Sequence, residues 1–406
     1  MGITRPIGVA LMLVVAGLAG FHAVVNVMSK GNPEGAVRLM SDHSQAQSTL
    51  SDQLLLESQR QTGAASRATM LRAADHARAT LRSEPSDAAA LRTLALLADA
   101  KVLHGDAARL MNLSRRYSSR DLPALLWLMQ YWAAREDAVQ FVRYSDIALR
   151  TNPAGYDAVL PILANTVAVD SVVPVLAQRM RSRAVWSESF WFAVSGSPAS
   201  WSNGVRLMQL LKGAPSFPSI AVAREWIGNM VARDQLALAA RAADALTPAA
   251  PVVRQGLSTQ AFGEGEGVPP FAWQLSRTGQ LDAEAVADGG LLIDVTRGSG
   301  GAAARRLVAL TAGSYRIAAG LRSEDAIPSD ELPMVRIYCA NAGARQSNYE
   351  FRLAGGDRYR AGGRFTVEDG CDFQWIEIVS PSVDSVATRS LDVLSLAVTP
   401  ERGGQQ

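Results

Sequence analysis

The residues that could do chemistry are few and scattered. The chain has four histidines, His22, His43, His76 and His104, and no two stand at a metal-binding spacing. Both cysteines, Cys339 and Cys371, are far in sequence from any histidine, which argues against an imidazole-activated thiolate. No GxSxG, HExxH or Walker pattern is present. Gly263, Gly265 and Gly267 make a glycine run, but no strand precedes it and no helix follows, so it does not read as a phosphate loop. Glu264, Glu266, Glu324, Asp325, Asp330 and Glu331 read as solvated, and a glycosidase would need two carboxyls to converge. The expectation is a protein that is not an enzyme, with no catalytic residue, metal or cofactor. A cryptic carbohydrate-active enzyme is the minor alternative.

The remaining chemistry is cross-linking and recognition. In an exported chain, two cysteines in one small domain predict a disulfide between Cys339 and Cys371. The alternative is a pair of buried free thiols. Glycan binding on a sheet needs exposed rings beside polar groups. The candidates are Tyr338, Tyr349, Tyr359 and Trp375, with Arg336, Arg352 and Asp357 as polar neighbours. Tyr338 and Arg336 should face away from Cys339. The bland reading of each ring is packing, and Trp273 and Trp375 are expected in the core. Tyr131, Trp132 and Trp191 are candidates for a partner-binding groove, although the cluster Trp186, Phe190, Trp191, Phe192 and Trp201 reads first as core.

These residues need elements to hold them. After a Gly- and Pro-containing linker at 251–268, nine short runs alternate apolar and polar residues, among them YRIAAGLR, MVRIYCA and FQWIEIVS. Tyr315, Ile317, Ala319 and Leu321 share one face, as do Val335, Ile337 and Cys339. That predicts an antiparallel β-sandwich, a jelly roll, over 269–400 with a tail at 401–406. Upstream, apolar residues recur at helical spacing from 66 to 250, preceded by a helical stem at 31–65. Pro161, Pro174, Pro198, Pro215 and Pro218 are expected to break the later helices.

Pro85 and Pro153 lie 68 residues apart, two periods of 34, and Ser119-Arg120-Asp121 falls at the midpoint. Leu91, Leu94 and Ala98 would line a first helix, His104-Gly105-Asp106 would turn, and Ala107 and Met111 would line a second. Leu125, Met129 and Trp132, then Tyr144 and Ala148, repeat the pairing. At Ala107, Ala148, Pro85 and Pro153 the chain resembles the tetratricopeptide repeat family. It departs at Phe141, which takes a small-residue position, and in most helix-A signature residues. The resemblance implies a degenerate helical solenoid that binds protein partners. The stretch LVALTAGSYRIAAGLRSE looks like paired strands of carbohydrate-binding-module-like jelly rolls. PFAWQL and FTVEDGCDFQWIEIVS look like motifs of tetratricopeptide proteins encoded with bacterial exopolysaccharide genes. That resemblance implies a scaffold or assembly factor in polysaccharide synthesis or export, whose partners are envelope proteins of that machinery and polysaccharide. A general envelope adaptor for secretion or division is the alternative.

The run from Ile7 to Met28 has no charged residue and about the length that spans ~30 Å of hydrocarbon. It reads as a transmembrane signal anchor, with 1–30 as cytoplasmic stub and anchor, over the alternative of a cleaved signal peptide. The expected location is therefore the bacterial inner membrane, single-pass, with the bulk of the chain periplasmic. Abundant Arg and Ala suggest a high-GC bacterial source. A composition 48% hydrophobic and 19% charged can bury a core, which excludes global disorder. A net charge of +2 argues against nucleic acid as a partner. The expected fold class is thus multidomain: a membrane helix, an α-helical repeat solenoid, then an antiparallel sandwich.

Overall fold

The computed structural model describes residues 4–101, 104–182, 184–247, 252–254, 257–259, 262, 267–286, 289–322, 331–340, 348–352, 359–382 and 389–401. The chain divides into two compact units, Met1–Leu163 and Ala164–Gln406.

The first unit is helical: α1 (Thr4–Gly31), α2 (Pro33–Leu39), α3 (Ser44–Arg60), α4 (Gly63–Ser83), α5 (Ala88–Ala100), α6 (His104–Tyr117), α7 (Leu122–Ala133), α8 (Ala138–Thr151) and the start of α9 (Tyr156–Thr166). Starts recur every 34 residues, at Ala88, Leu122 and Tyr156 for one helix of each pair and at His104, Ala138 and then Val172 for the other. The caps follow the same spacing. Asp87 accepts from the Ala90 N–H and Asp121 from the Ala124 N–H, each satisfying one of the free donors of a first helical turn. One period later the position is Gly155, where a Cβ would stand 2.8 Å from a Leu122 methyl and would oblige that side chain to move. His104-Gly105-Asp106 opens α6 instead of forming a turn, and Pro161 lies inside α9 without breaking it. Ala107, Met111, Leu125, Met129, Tyr144 and Ala148 are buried, while Leu94, Ala98 and Trp132 are only partly so.

Arg92 ties three helices together. Its guanidinium meets Asp121, the cap of α7, at 2.6 Å and Asp52 of α3 at 2.8 Å. Asp121 also accepts from the Ser114 hydroxyl at 3.1 Å. Burial works against the charge on Arg92, yet Asp121 and Asp52 together hold its pKa above the ordinary value. Burial raises the Asp52 carboxyl above its ordinary range despite the opposing pull of Arg92.

The N-terminal expectation is corrected here. Among the described residues no helix is long and apolar enough to cross a membrane, which overturns the transmembrane signal anchor and, with it, the single-pass inner-membrane location and periplasmic placement. From Ala16 onward α1 carries Gly17, Gly20, His22 and Asn26, which lower its apolar character. Its inner face is also used by protein. Val25 is fully buried with Ala36 and Ala46, and the Asn26 side chain meets His43 Nε2 at 2.8 Å.

The second unit begins at Ala164 and continues through α10 (Val172–Met180), α11 (Ser187–Ser195), α12 (Trp201–Leu210), α13 (Ile220–Val231) and α14 (Leu236–Leu246). Trp186, Phe190, Trp191, Trp201 and Trp226 are buried among these helices. The strands are β1 (Val253–Arg254), β2 (Leu257–Thr259), β3 (Gln274–Leu275), β4 (Leu281–Ala285), β5 (Leu291–Val295), β6 (Gly301–Leu310), β7 (Gly313–Arg322), β8 (Met334–Cys339), β9 (Tyr349–Arg352), β10 (Tyr359–Val367), β11 (Gln374–Ser380) and β12 (Arg389–Pro400). They form two sheets, ordered β1-β6-β11-β8-β9 with β3 also on β6, and β10-β7-β12-β5-β4 with β2 also on β12. Every pairing is antiparallel except β1 with β6. One apolar core joins the facing sides, with Ile293, Ile317, Leu321, Ile337, Ile376 and Leu396 at its centre. Cys339 and Cys371 form a disulfide, with their Cα atoms 5.7 Å apart, inside the usual range for such a bridge.

Arg92→Ala should destabilise the first unit by about 3 kcal/mol, because it leaves the Asp121 carboxylate buried without its cation. Urea unfolding followed by circular dichroism measures this. Asp52→Asn should cost less, since that carboxylate is partly exposed. Equal and negligible effects of both changes would refute the clamp.

Candidate functional site

The outer side of the first sheet gathers the polar candidates by register alone. In one row across the strands, Gln274 of β3 pairs with Arg305 of β6, Arg305 with Glu377 of β11, Glu377 with Arg336 of β8, and Arg336 with Glu350 of β9. Directly opposed residues share a face, so positive and negative charges alternate along this row. In the neighbouring row Trp375 of β11 lies opposite Tyr338 of β8. The intervening residues Ile337, Ile376 and Ile378 point into the core. Pleating therefore forces Tyr338, Arg336, Trp375 and Glu377 outward together.

The contacts within the face are specific. Tyr338 donates its hydroxyl to Glu377 Oε1 at 2.9 Å. Arg336 reaches Glu350 at 3.2 Å and Glu377 at 3.7 Å. Arg305 donates to Gln274 Oε1 at 2.7 Å, and its guanidinium lies 5.1 Å from the Trp375 ring centroid. Burial, followed by the hydrogen bond to Glu377 and its charge, pushes the Tyr338 phenol up to about 12, with Arg305 and Arg336 pulling the other way. Tyr338 is therefore a neutral ring and donor at ordinary pH. Glu377 and Glu350 are both engaged by Arg336. What the face presents is two half-exposed rings side by side with a cation at each flank. Such a surface can stack an apolar ring face and donate to its oxygens.

The other candidates separate. The Tyr349 hydroxyl exchanges long contacts with the backbone of Thr366, and its ring packs 5.7 Å from Phe365, toward the core edge. Arg352 is exposed at the end of β9. Tyr359 opens β10, and its side chain lies outside the described residues, as does Asp357 altogether. Trp273 is buried in the sandwich core, whereas Trp375, expected there too, is half-exposed on the outer face. In the first unit, Tyr131 stacks on Trp127 at 5.1 Å, meets Trp132 edge-on at 5.0 Å and has the Arg135 guanidinium 3.6 Å from its centroid. Trp191 is fully buried in the second unit and donates its indole N–H to the Ser216 carbonyl at 2.9 Å, so it lines no groove.

Two features escaped the sequence reading. Arg305 is not among the candidates drawn from the sequence, and only the pairing of β6 with β11 sets it beside Glu377. The second sheet carries an open acidic cleft lined by Asp282, Glu284 and Asp294, with Arg277 at its rim. Its signal was present in the polar-out alternation of LDAEA and LLIDV, but the pairing of Asp282 with Asp294 depends on strand register. Among the described residues no group of three or more His, Cys, Asp or Glu side chains could hold a metal ion.

No family model matches this chain, and no curated protein matches it. Among solved structures it has slight likeness to the enzymatically active domain of bacteriophage CBA120 tailspike protein 4, with TM-score 0.24, 8% identity, and 32% of this chain and 19% of that one covered. A similarly slight likeness is to the module TmCBM61 in complex with β-1,4-galactotriose, with TM-score 0.22, 11% identity, and 35% of this chain and 92% of that one covered. The CBM22-1–GH10 modules of Clostridium thermocellum xylanase 10B with xylohexaose give TM-score 0.25, 11% identity, and coverage of 36% and 28%. This chain spans less than a third of the tailspike and xylanase chains, and likenesses at these scores carry no argument about its ligand.

Replacing Glu377 with Gln should bring the Tyr338 phenol back toward its ordinary value of 10.0. The difference between parent and Tyr338→Phe ultraviolet titrations isolates this group. A phenol that titrates at the same pH in both backgrounds would show that Glu377 does not act on it.

Proposed function

We propose that this chain is a non-catalytic binding protein whose sandwich holds a glycan on the outer face of the first sheet. The observation that carries the reading is the opposed pair Trp375 and Tyr338, half-exposed on neighbouring strands and flanked by Arg305 and Arg336. Trp375 offers the stacking surface, with Arg305 swinging from its ring to a ligand oxygen. Arg336 and the Tyr338 hydroxyl fix orientation. The sequence resemblance to tetratricopeptide proteins of exopolysaccharide gene clusters supports the wider role, a scaffold for polysaccharide synthesis or export. Calorimetry with cellohexaose, xylohexaose and hexagalacturonate tests the face. At least one should bind, with no reducing ends released, and Trp375→Ala should weaken it roughly tenfold, the scale of one lost aromatic contact. Silence across the panel, or a Trp375→Ala protein that binds like its parent, would sink the reading.

A second function, protein binding by the helical unit, is favoured by the aromatic group on α7. Trp127, Tyr131 and Trp132 are each partly exposed, and the buried Trp132 Nε1 has no acceptor among the described residues. The partners would be proteins of the same polysaccharide machinery. Joint replacement of Tyr131 and Trp132 by Ala should abolish co-purification with a polysaccharide polymerase or exporter and leave saccharide calorimetry unchanged. Undiminished co-purification would count against the α7 surface.

A further inference from the structure

A second binding site lies within the second unit, apart from the sheet face. A cavity of about 160 Å³ is bounded by Arg224 of α13, by Phe262 and Pro269, and by Trp273, Leu275 and Arg277 around β3. Liquid water occupies roughly 30 Å³ per molecule, so the space is that of about five waters, room for one sugar ring.

The lining has one-sided chemistry. Trp273 is only 7% exposed, and its buried indole N–H has no acceptor among the described residues. A buried donor of this kind calls for an acceptor supplied by whatever enters. Arg224 and Arg277 are both exposed, and among the described residues neither makes an ion pair. Arg277 also borders the acidic cleft, and among the described residues it makes no ion pair with Asp282 or Asp294. Among the described residues no carboxylate lines the cavity. The remaining wall is apolar, with Phe262 and Trp273 in contact at 5.1 Å between centroids. Donors and cations on an apolar wall repel cations and leave a neutral sugar with two unused charges. A ring bearing one carboxylate uses all of them, since guanidinium groups pair with carboxylates through charge-assisted hydrogen bonds.

We propose that this cavity binds a single uronate unit. Arg224 and Arg277 hold its carboxylate, the Trp273 indole N–H donates to a ring or carboxylate oxygen, and Phe262 with Leu275 covers its apolar face. The inference does not rest on the sheet-face reading. It goes beyond that reading by naming a second subsite and the charge of its ligand.

Calorimetry on the full chain with D-glucuronate and D-glucose tests it. Glucuronate should bind and glucose should not. Arg224→Gln and Arg277→Gln should each weaken glucuronate about tenfold or more, and added salt should do the same. Trp273→Phe, which keeps a packing ring and removes the donor, should weaken it severalfold. Thermal melts of the two arginine variants should match the parent, since both side chains are exposed. Cellohexaose should not displace glucuronate, which separates this cavity from the sheet face: glucuronate binding persists even if no hexasaccharide binds. Absence of glucuronate binding at millimolar concentration, equal affinity for glucose, or unchanged affinity in both arginine variants would overturn the proposal.

Discussion

Pleating is the constraint on which the sandwich and its candidate face depend. Successive residues of a strand point to opposite sides, so a strand that buries Val335, Ile337 and Cys339 must turn Arg336 and Tyr338 away from them. β11 obeys the same rule, with Ile376 and Ile378 inward and Trp375 and Glu377 outward. Once the apolar set commits to the core, a one-residue slip in either strand would drive charges into it, so the register is held strongly. The rows that bring Arg305, Glu377 and Arg336 together are a consequence of that burial. Arg336 is only partly exposed and Glu377 is nearly buried, so this pair is shielded from solvent more than a surface pair would be.

In the helical unit the corresponding constraint is that no helix pair can bury its apolar faces alone. Starts spaced by 34 residues stack equivalent faces, and the aspartates capping α5 and α7 keep the spacing by ending each connection at the same point. Arg92 adds a polar tie between α3, α5 and α7. Such a tie suits a repeat array, where each contact joins near neighbours and long-range packing is scarce. α1 follows the same logic from Val25 onward. Val25 of α1 packs with Ala36 of α2 and Ala46 of α3, and hydrophobicity read along one stretch of sequence does not reveal that use.

Periodicity of 2 and of 3.6 was legible wherever an element was long and half-buried, as in YRIAAGLR and in the buried positions of α7 and α8. The outward direction of Tyr338 and Arg336 followed from it as well. Trp375 was misplaced because its ring is large and apolar and suited a core position, whereas its strand parity put it outside. Trp191 is in the core, as the first reading of its aromatic cluster had it, and only the alternative of a groove residue fails. An aromatic cluster in a short helix has no parity to settle its direction, and here Trp191 of α11 packs against Trp226 of α13.

From the amino-acid order alone came the helical first part, the strand-rich last part, the repeat length of 34 and the two sulfurs that pair, because local periodicity, capping residues and cysteine count are carried within short windows of chain. Only the folded arrangement decided which carboxylate neutralises which arginine, that Arg305 lies over Trp375, that the α1 helix is shared with α2 and α3, and that Arg224 and Trp273 border one cavity. Those relations join residues from 11 positions apart, as Val25 and Ala36, to 70, as Arg305 and Trp375. Their energies depend on register and packing between elements, a property that no single segment contains.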